Sequence, residues 1–147
     1  MASYTISDLK FITHEELASD LRAQKPGITV IDVRGDDYIG GHIKGCQNVP
    51  VSTFDYRMPE LVRTLRDQDT VVFHCGLSQQ RGPRSALEYL RVRDKIAKKG
   101  EVEARKDGAD LKEVQKVVVL EGGFSKWQES YGEDKELTES YQKDLWE

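Results

Sequence analysis

The sequence predicts an α/β domain built on a central, mostly parallel sheet of about five strands with helices on both faces. Three observations predict it. The runs Val71-Val72-Phe73 and Val117-Val118-Val119-Leu120 are short and continuously apolar, and Ile28 to Val33 is rich in β-branched residues and closes on Asp32, as strands covered on both sides are. Segments with helical spacing lie between them. Pro-Gly and Gly-Gly pairs punctuate the joins. A chain of 147 residues suits one domain over residues 1–147, with a core of about residues 10–131.

The elements follow in order. Thr13 and Glu16 form a capping-box signal, after which Leu17 and Leu21 share one face of a short helix. Pro26-Gly27 ends it, and the first core strand closes on Asp32. Gly40-Gly41 marks a turn, and Val49-Pro50-Val51 is expected to be a short strand. Leu61 and Leu65 anchor a helix from about Pro59 to Arg66. Val71 to Phe73 leads straight into His74-Cys75, and Gly82-Pro83 opens a helix carrying Leu87, Leu90 and Ala97, with proline in a first turn where its missing N–H costs little. Residues 98–116 are nearly all charged or small, and we expect a surface excursion or flexible insert there. After the last strand, Gly122-Gly123 turns the chain, and Ser125 with Gln128 caps a helix bearing Trp127 and Tyr131. In the tail, residues 132–147, Tyr141, Leu145 and Trp146 are candidates for docking on the body.

Composition excludes several classes. Hydrophobic residues make up 37% and charged residues 33%, mean hydropathy is −0.63 and the net charge is −4, which describes a soluble globular protein. No apolar run approaches the roughly 18 residues that cross a bilayer. The start, Met1-Ala2-Ser3-Tyr4, lacks the features of a secretory signal. Without a basic face there is no electrostatic reason to bind nucleic acid, so neither nucleic acid nor membrane is an expected partner. Cytoplasm, nucleus or both fit. Two cysteines suit free thiols better than a disulfide scaffold, and with three scattered histidines they offer no zinc-ligand spacing. We expect no metal and no cofactor.

The chemistry concentrates where a core strand ends and a helix begins: Phe73-His74-Cys75-Gly76-Leu77-Ser78-Gln79-Gln80-Arg81-Gly82-Pro83-Arg84. Five residues separate Cys75 from Arg81. A loop of that length can wrap one tetrahedral anion, aiming backbone N–H groups at its oxygens, and the following helix adds its positive end. Arg81 can grip two oxygens with its planar fork. Such positive surroundings favour the thiolate form of a cysteine, so one segment would supply both nucleophile and anion cradle. Gly76, Leu77, Ser78, Gln79, Gln80 and Arg81 are the candidate oxyanion-binding residues. His74 and Arg84 are candidates for supporting the loop from behind.

This loop resembles the active-site loop of the cell-division-cycle dual-specificity phosphatases and the related eukaryotic arsenate reductases, both of the rhodanese fold. Ile31-Asp32-Val33-Arg34 followed by Gly40-Gly41-His42-Ile43-Lys44-Gly45 resembles their upstream signature. Leu120-Glu121-Gly122-Gly123-Phe124 with Trp127 resembles their closing strand and final helix. The resemblance spans roughly residues 10 to 131 and is most like the small fungal and plant members. It implies Cys75 as nucleophile, through a cysteinyl-phosphate or thiol-arsenate adduct, and Arg81 as oxyanion binder. Related sulfur-transferring rhodaneses have a loop one residue shorter, so this length suits a phosphate-sized ligand.

The pattern departs in places. No residue of the loop from Gly76 to Gln80 is charged, whereas the large phosphatases have acids there, so the proton donor cannot be carried over. Asp32 matches an aspartate of the upstream signature and is the third catalytic candidate, with a buried structural role as its alternative. A protective cysteine follows that aspartate in the large phosphatases, but here the position is Val33, and Cys46 is expected to be a small buried residue. His42 is expected to be a structural hydrogen bonder and His14 a surface residue.

The expected function is a cysteine-dependent phosphatase acting on phosphotyrosine, phosphoserine or phosphothreonine proteins or on aryl phosphates. The ending Arg81-Gly82-Pro83-Arg84 is closer to the phosphatase form of the loop. The alternative is an arsenate reductase, with glutathione as co-substrate and glutaredoxin as partner. A non-catalytic module binding phosphorylated partners is a third reading, against which an intact cysteine argues.

Overall fold

The computed structural model describes residues 4–77 and 80–147. Five strands form the main sheet in the order β1-β6-β5-β2-β4, every neighbouring pair parallel: β1 (Lys10–Ile12), β2 (Ile28–Asp32), β4 (Gln47–Asn48), β5 (Thr70–His74) and β6 (Lys116–Leu120). The α/β architecture expected from the sequence is the one observed. β3 (His42–Ile43) and β7 (Thr138–Glu139) form a small antiparallel pair beside it.

Side-chain alternation along the central strands builds two cores. Ile31, Val71, Phe73, Val117 and Val119 face one side, where α2 (Phe54–Thr64) and α3 (Arg81–Lys98) pack. Val30, Val72 and Leu120 face the other, against Leu17 and Ala18 of α1 (His14–Arg22) and Phe124 and Trp127 of α5 (Gly123–Tyr131). Each fully buried large side chain contributes about 1.5–3 kcal/mol. Thr13 closes α1 through the expected capping box, its hydroxyl accepting from Glu16 N at 3.1 Å.

Four expectations need correction, the first being the cap of α5: the helix starts at Gly123 after Gly122, so Ser125 lies inside its first turn and does not cap it. The strand near residue 49 is Gln47–Asn48, because Pro50 lacks an N–H and starts a 3-10 turn instead. The helix expected from Pro59 starts five residues earlier, since Phe54, Met58, Leu61 and Val62 make an apolar stripe that carries it through the proline. The charged stretch 98–116 is anchored rather than loose. Arg105 is buried and donates to the carbonyls of Arg66 and Gln68, and Leu111 of α4 (Leu111–Val114) joins the core. Gln115 ties the same stretch to Leu65 O and to the Tyr89 hydroxyl. Charge on the outer face conceals these anchors.

The sheet register has one consequence for function. Asp32 at the end of β2 lies beside His74 at the end of β5. The loops that leave β2, β5 and β6 therefore converge at one edge, where parallel sheets bind ligands.

Candidate active site

Cys75 leaves the central strand and the chain turns at once. The first N–H groups of α5 fix that turn: Phe124 N donates to Cys75 O at 3.0 Å and Ser125 N to Gly76 O at 2.8 Å. Such an approach requires Gly123, which has φ +60°, and any β-carbon there would run into both carbonyls. The peptide carrying the thiol is thus gripped from the neighbouring strand's loop.

The Cys75 loop forms one side of an open cavity of about 500 Å³. Cys75, Gly76, Leu77, Gln80 and Arg81 line it from the loop, and Arg34, Asp37, Ser125 and Trp146 line it from elsewhere. Cys75 is only 3% exposed, so a reacting atom must come down to it. Arg81 stands in the first turn of α3, as the Gly82-Pro83 signal implied. Its fork meets a carboxylate squarely, with Nη1 donating to Asp37 Oδ1 at 2.8 Å and Nη2 to Oδ2 at 2.6 Å. That pairing holds the Asp37 carboxyl below the usual carboxylate range. It also raises Arg81, to which Cys75 at the other end of the loop adds a smaller contribution.

Behind the cavity lies a buried polar net. Asp32 accepts from Arg34 through both oxygens, Nε to Oδ1 at 3.0 Å and Nη2 to Oδ2 at 2.8 Å, and from Arg34 N. Arg34 Nη2 also donates to Gly41 O at 2.8 Å, and its guanidinium lies 4.6 Å from the Phe124 ring centroid. Since Nη1 reaches the carbonyls of Asp37 and Ile39, Arg34 shapes the loop that presents Asp37. His74 is fully buried, and its Nδ1, 2.9 Å from Cys75 O, carries a proton and donates it there. Its Nε2 has no hydrogen-bond partner among the described residues and lies 3.7 Å from Asp32 Oδ2. Burial lowers the His74 pKa, which the nearby Asp32 only partly offsets, so the ring is neutral.

The sequence-derived candidates separate as follows. Cys75, Gly76, Leu77, Gln80 and Arg81 come together at the cavity, while Ser78 and Gln79 lie outside the described residues. His74 reaches the Cys75 carbonyl from behind the loop. Arg84 is exposed on the first turn of α3 and does not line the cavity. Asp32, the third catalytic candidate, is fully buried and also absent from the cavity wall; its oxygens are committed to Arg34. Cys46 sits beside the Tyr38 hydroxyl, with burial pushing its thiol up to about 11. His42 stacks on Tyr38, and its Nε2 lies 3.3 Å from Glu139.

Sequence reasoning missed Asp37, and it placed Trp146 only as a residue docking on the body, which it is, and not as one lining the cavity. The Asp36-Asp37 pair in a loop leaving a core strand was an available signal for the first. Trp146 donates from Nε1 to Gly40 O at 3.0 Å and packs on Phe124, and the turn admits it because Gly40 has no side chain. Its apolar character marks it for docking, but nothing local in the tail marks the cavity as the place.

A parallel sheet whose central strand delivers a cysteine into a loop closed by an arginine has the arrangement of the rhodanese fold. The rhodanese-like domain signature matches residues 13–130, and the chain belongs to that family. It is 36% identical to the CDC25-like phosphatase YCH1 of Saccharomyces cerevisiae, over 99% of both chains. It is 35% identical to arsenate reductase 2.2 of Oryza sativa subsp. japonica, over 82% of each. Among solved structures it superposes with a TM-score of 0.71 on Saccharomyces cerevisiae Ygr203w, described as a homolog of single-domain rhodanese and the Cdc25 phosphatase catalytic domain. That match has 34% identity and covers 100% of this chain and 97% of the other. Its relatives place the chain among the enzymes of the rhodanese family.

Proposed function

We propose that this protein is a cysteine-dependent phosphatase that hydrolyses phosphomonoesters through a cysteinyl-phosphate intermediate. The observation that carries the reading is the pairing of a Cys75 floor with an Arg81 fork that already holds two carboxylate oxygens at the mouth of the same loop. Two phosphate oxygens would take those places, leaving phosphorus within reach of the sulfur. The thiolate then attacks phosphorus and the alcohol or phenol leaves. Water releases phosphate from the cysteine in a second step. A singly protonated substrate can bring the proton its leaving group needs. The cavity is open enough for a phosphorylated protein side chain or a small aryl phosphate, and the similarity to YCH1 over almost the whole chain favours this assignment.

Arsenate reduction is the second reading, because arsenate shares the shape and charge of phosphate. The similarity to the rice arsenate reductase favours it. Among the described residues no second cysteine lines the cavity, so an external thiol such as glutathione, with glutaredoxin as partner, would resolve the adduct. We infer no metal, resident cofactor, nucleic acid or membrane requirement, and a site of action in cytoplasm or nucleus.

The test is aryl-phosphate hydrolysis by wild type and Cys75→Ser in reducing buffer from pH 5 to 8. Turnover lost in the mutant supports the phosphatase. A folded, reduced wild type without turnover overturns it, and glutathione-coupled arsenate reduction then becomes the assay.

A further inference from the structure

The Asp37–Arg81 pair occupies the anion position of the site with the protein's own carboxylate. Arg81 Nη1 and Nη2, the end-on fork that could grip a tetrahedral anion, are engaged at 2.8 and 2.6 Å in a fork-to-fork pair. The carboxylate also overhangs the loop: a β-carbon on Gly76 would lie 3.8 Å from Asp37 Oδ2 and 3.7 Å from Arg81 Nη2. Asp37 is not drifting on the surface when it does this. Gly35 N donates to its Oδ1 at 3.1 Å, and the Arg34 guanidinium holds its backbone carbonyl, so the buried Asp32–Arg34 pair sets where the carboxylate points. Both partners remain partly open to water, at 49% exposure for the Asp37 side chain and 41% for Arg81, which keeps the pair exchangeable.

We propose that Asp37 is an internal counter-anion that competes with a phosphate or arsenate group for Arg81, and that it thereby sets the affinity of the site for oxyanions. The inference rests on the reading that Arg81 receives the substrate oxyanion. Two physical effects have the same sign. Arg81 exchanges one pair of charge-assisted hydrogen bonds for another, so the gain on binding is only the difference between them. An incoming anion also meets a carboxylate at the cavity wall, and like charges at close range oppose binding. In return, the pair keeps the guanidinium at the mouth of the loop in the empty protein, where an unpaired arginine would sample many rotamers. Free inorganic phosphate, which has no further contacts to offer, would feel the competition most. A substrate with additional groups against Leu77 and Trp146 could offset it.

The test is a 15N NMR titration of the full chain with inorganic phosphate, comparing wild type, Asp37→Asn, Asp37→Ser and Arg81→Ala. Asparagine keeps the acceptor that Gly35 N uses while removing the charge and the second acceptor that faces Arg81 Nη2; serine is the second variant should the loop respond to the amide. The expected result is about 3- to 10-fold tighter phosphate binding in both Asp37 variants, the size of a partly exposed ion pair removed from competition. Arg81→Ala should abolish the binding. Unchanged or weaker binding in the folded Asp37 variants, with Arg81-dependent binding intact in wild type, overturns this inference alone. Binding that is equal in wild type and Arg81→Ala overturns it together with the oxyanion reading of the site.

Discussion

Gly123 lies against the carbonyl oxygens of Cys75 and Gly76 so closely that a β-carbon on it would sit 2.6 Å from the Cys75 oxygen. The atom in the way is backbone, with no flexible end to swing aside, and φ at Gly123 is +60°. Gly123→Ala therefore displaces the peptide of the nucleophile. The expected cost in urea unfolding is above the roughly 1–3 kcal/mol of a strained left-handed residue alone, with activity falling further than stability does. Gly45→Ala is the control, since Gly45 has φ +80° but open space around it. It should lose about 1 kcal/mol and keep its activity.

The Asp32–Arg34 pair is buried on both sides, at 0% and 1% side-chain exposure, so removing one partner strands the other charge in the interior. Asp32→Ala should cost about 3–5 kcal/mol. Asp32→Asn is the more informative variant. If Asp32 only holds Arg34, the pH dependence of kcat in Asp32→Asn keeps its shape, and any loss follows the loosening of the Asp37 loop. A vanished limb in that profile would instead make Asp32 the proton donor.

Those two pairs also show what the sequence carries and what it hides. The core strands, the Cys75–Arg81 loop and the Gly-Gly turns announce themselves locally, through apolar runs, punctuation and fixed spacing. Asp32 was visible as a residue, but the Arg34 guanidinium that takes both its oxygens is a tertiary pairing, and only burial shows that it faces away from the cavity. Asp37 meets Arg81 across 44 positions of chain, a separation for which no periodicity exists. The two-residue strands β3 and β7 and the three-residue β1 are too short to leave an alternating pattern. Residues 98–116 misled for a related reason: Arg105 counts as a surface residue until the carbonyls of Arg66 and Gln68 are brought around it.

His74 makes acid conditions costly. Its ordinary pKa of 6.5 is lowered in the folded protein, chiefly by burial. Below about pH 6.5 the unfolded chain takes up a proton that the folded protein refuses. Stability is therefore full above that pH and falls as pH drops toward the lowered folded value, by up to about 1.4 kcal/mol per pH unit. Urea midpoints measured from pH 7.5 to 5.5 should fall in wild type. His74→Asn can keep the donor to Cys75 O while removing the titrating ring, and its midpoints should be flatter across the same range. Equal slopes in the two proteins would assign the acid sensitivity elsewhere. The lowered carboxyls, Asp37, Asp107 and Asp134, act in a separate window below about pH 3.8.

Trp146 joins the tail to the cavity wall, and its two attachments can be separated by substitution. The ring packs on Phe124 with centroids 5.3 Å apart, and the indole N–H reaches Gly40 O at 3.0 Å. Phe124 in turn lies under the Arg34 guanidinium, so the tail is coupled through one ring to the group that shapes the Asp37 loop. Trp146→Phe keeps the packing and loses one hydrogen bond, at about 0.5–1.5 kcal/mol. Trp146→Ala loses both and opens the wall. Because Trp146 lines the cavity while bonded to Gly40 O and packed on Phe124, its removal should raise KM for aryl phosphates several-fold while kcat changes less than twofold. A fall in kcat at unchanged KM would show that the wall instead acts on the loop that carries the nucleophile.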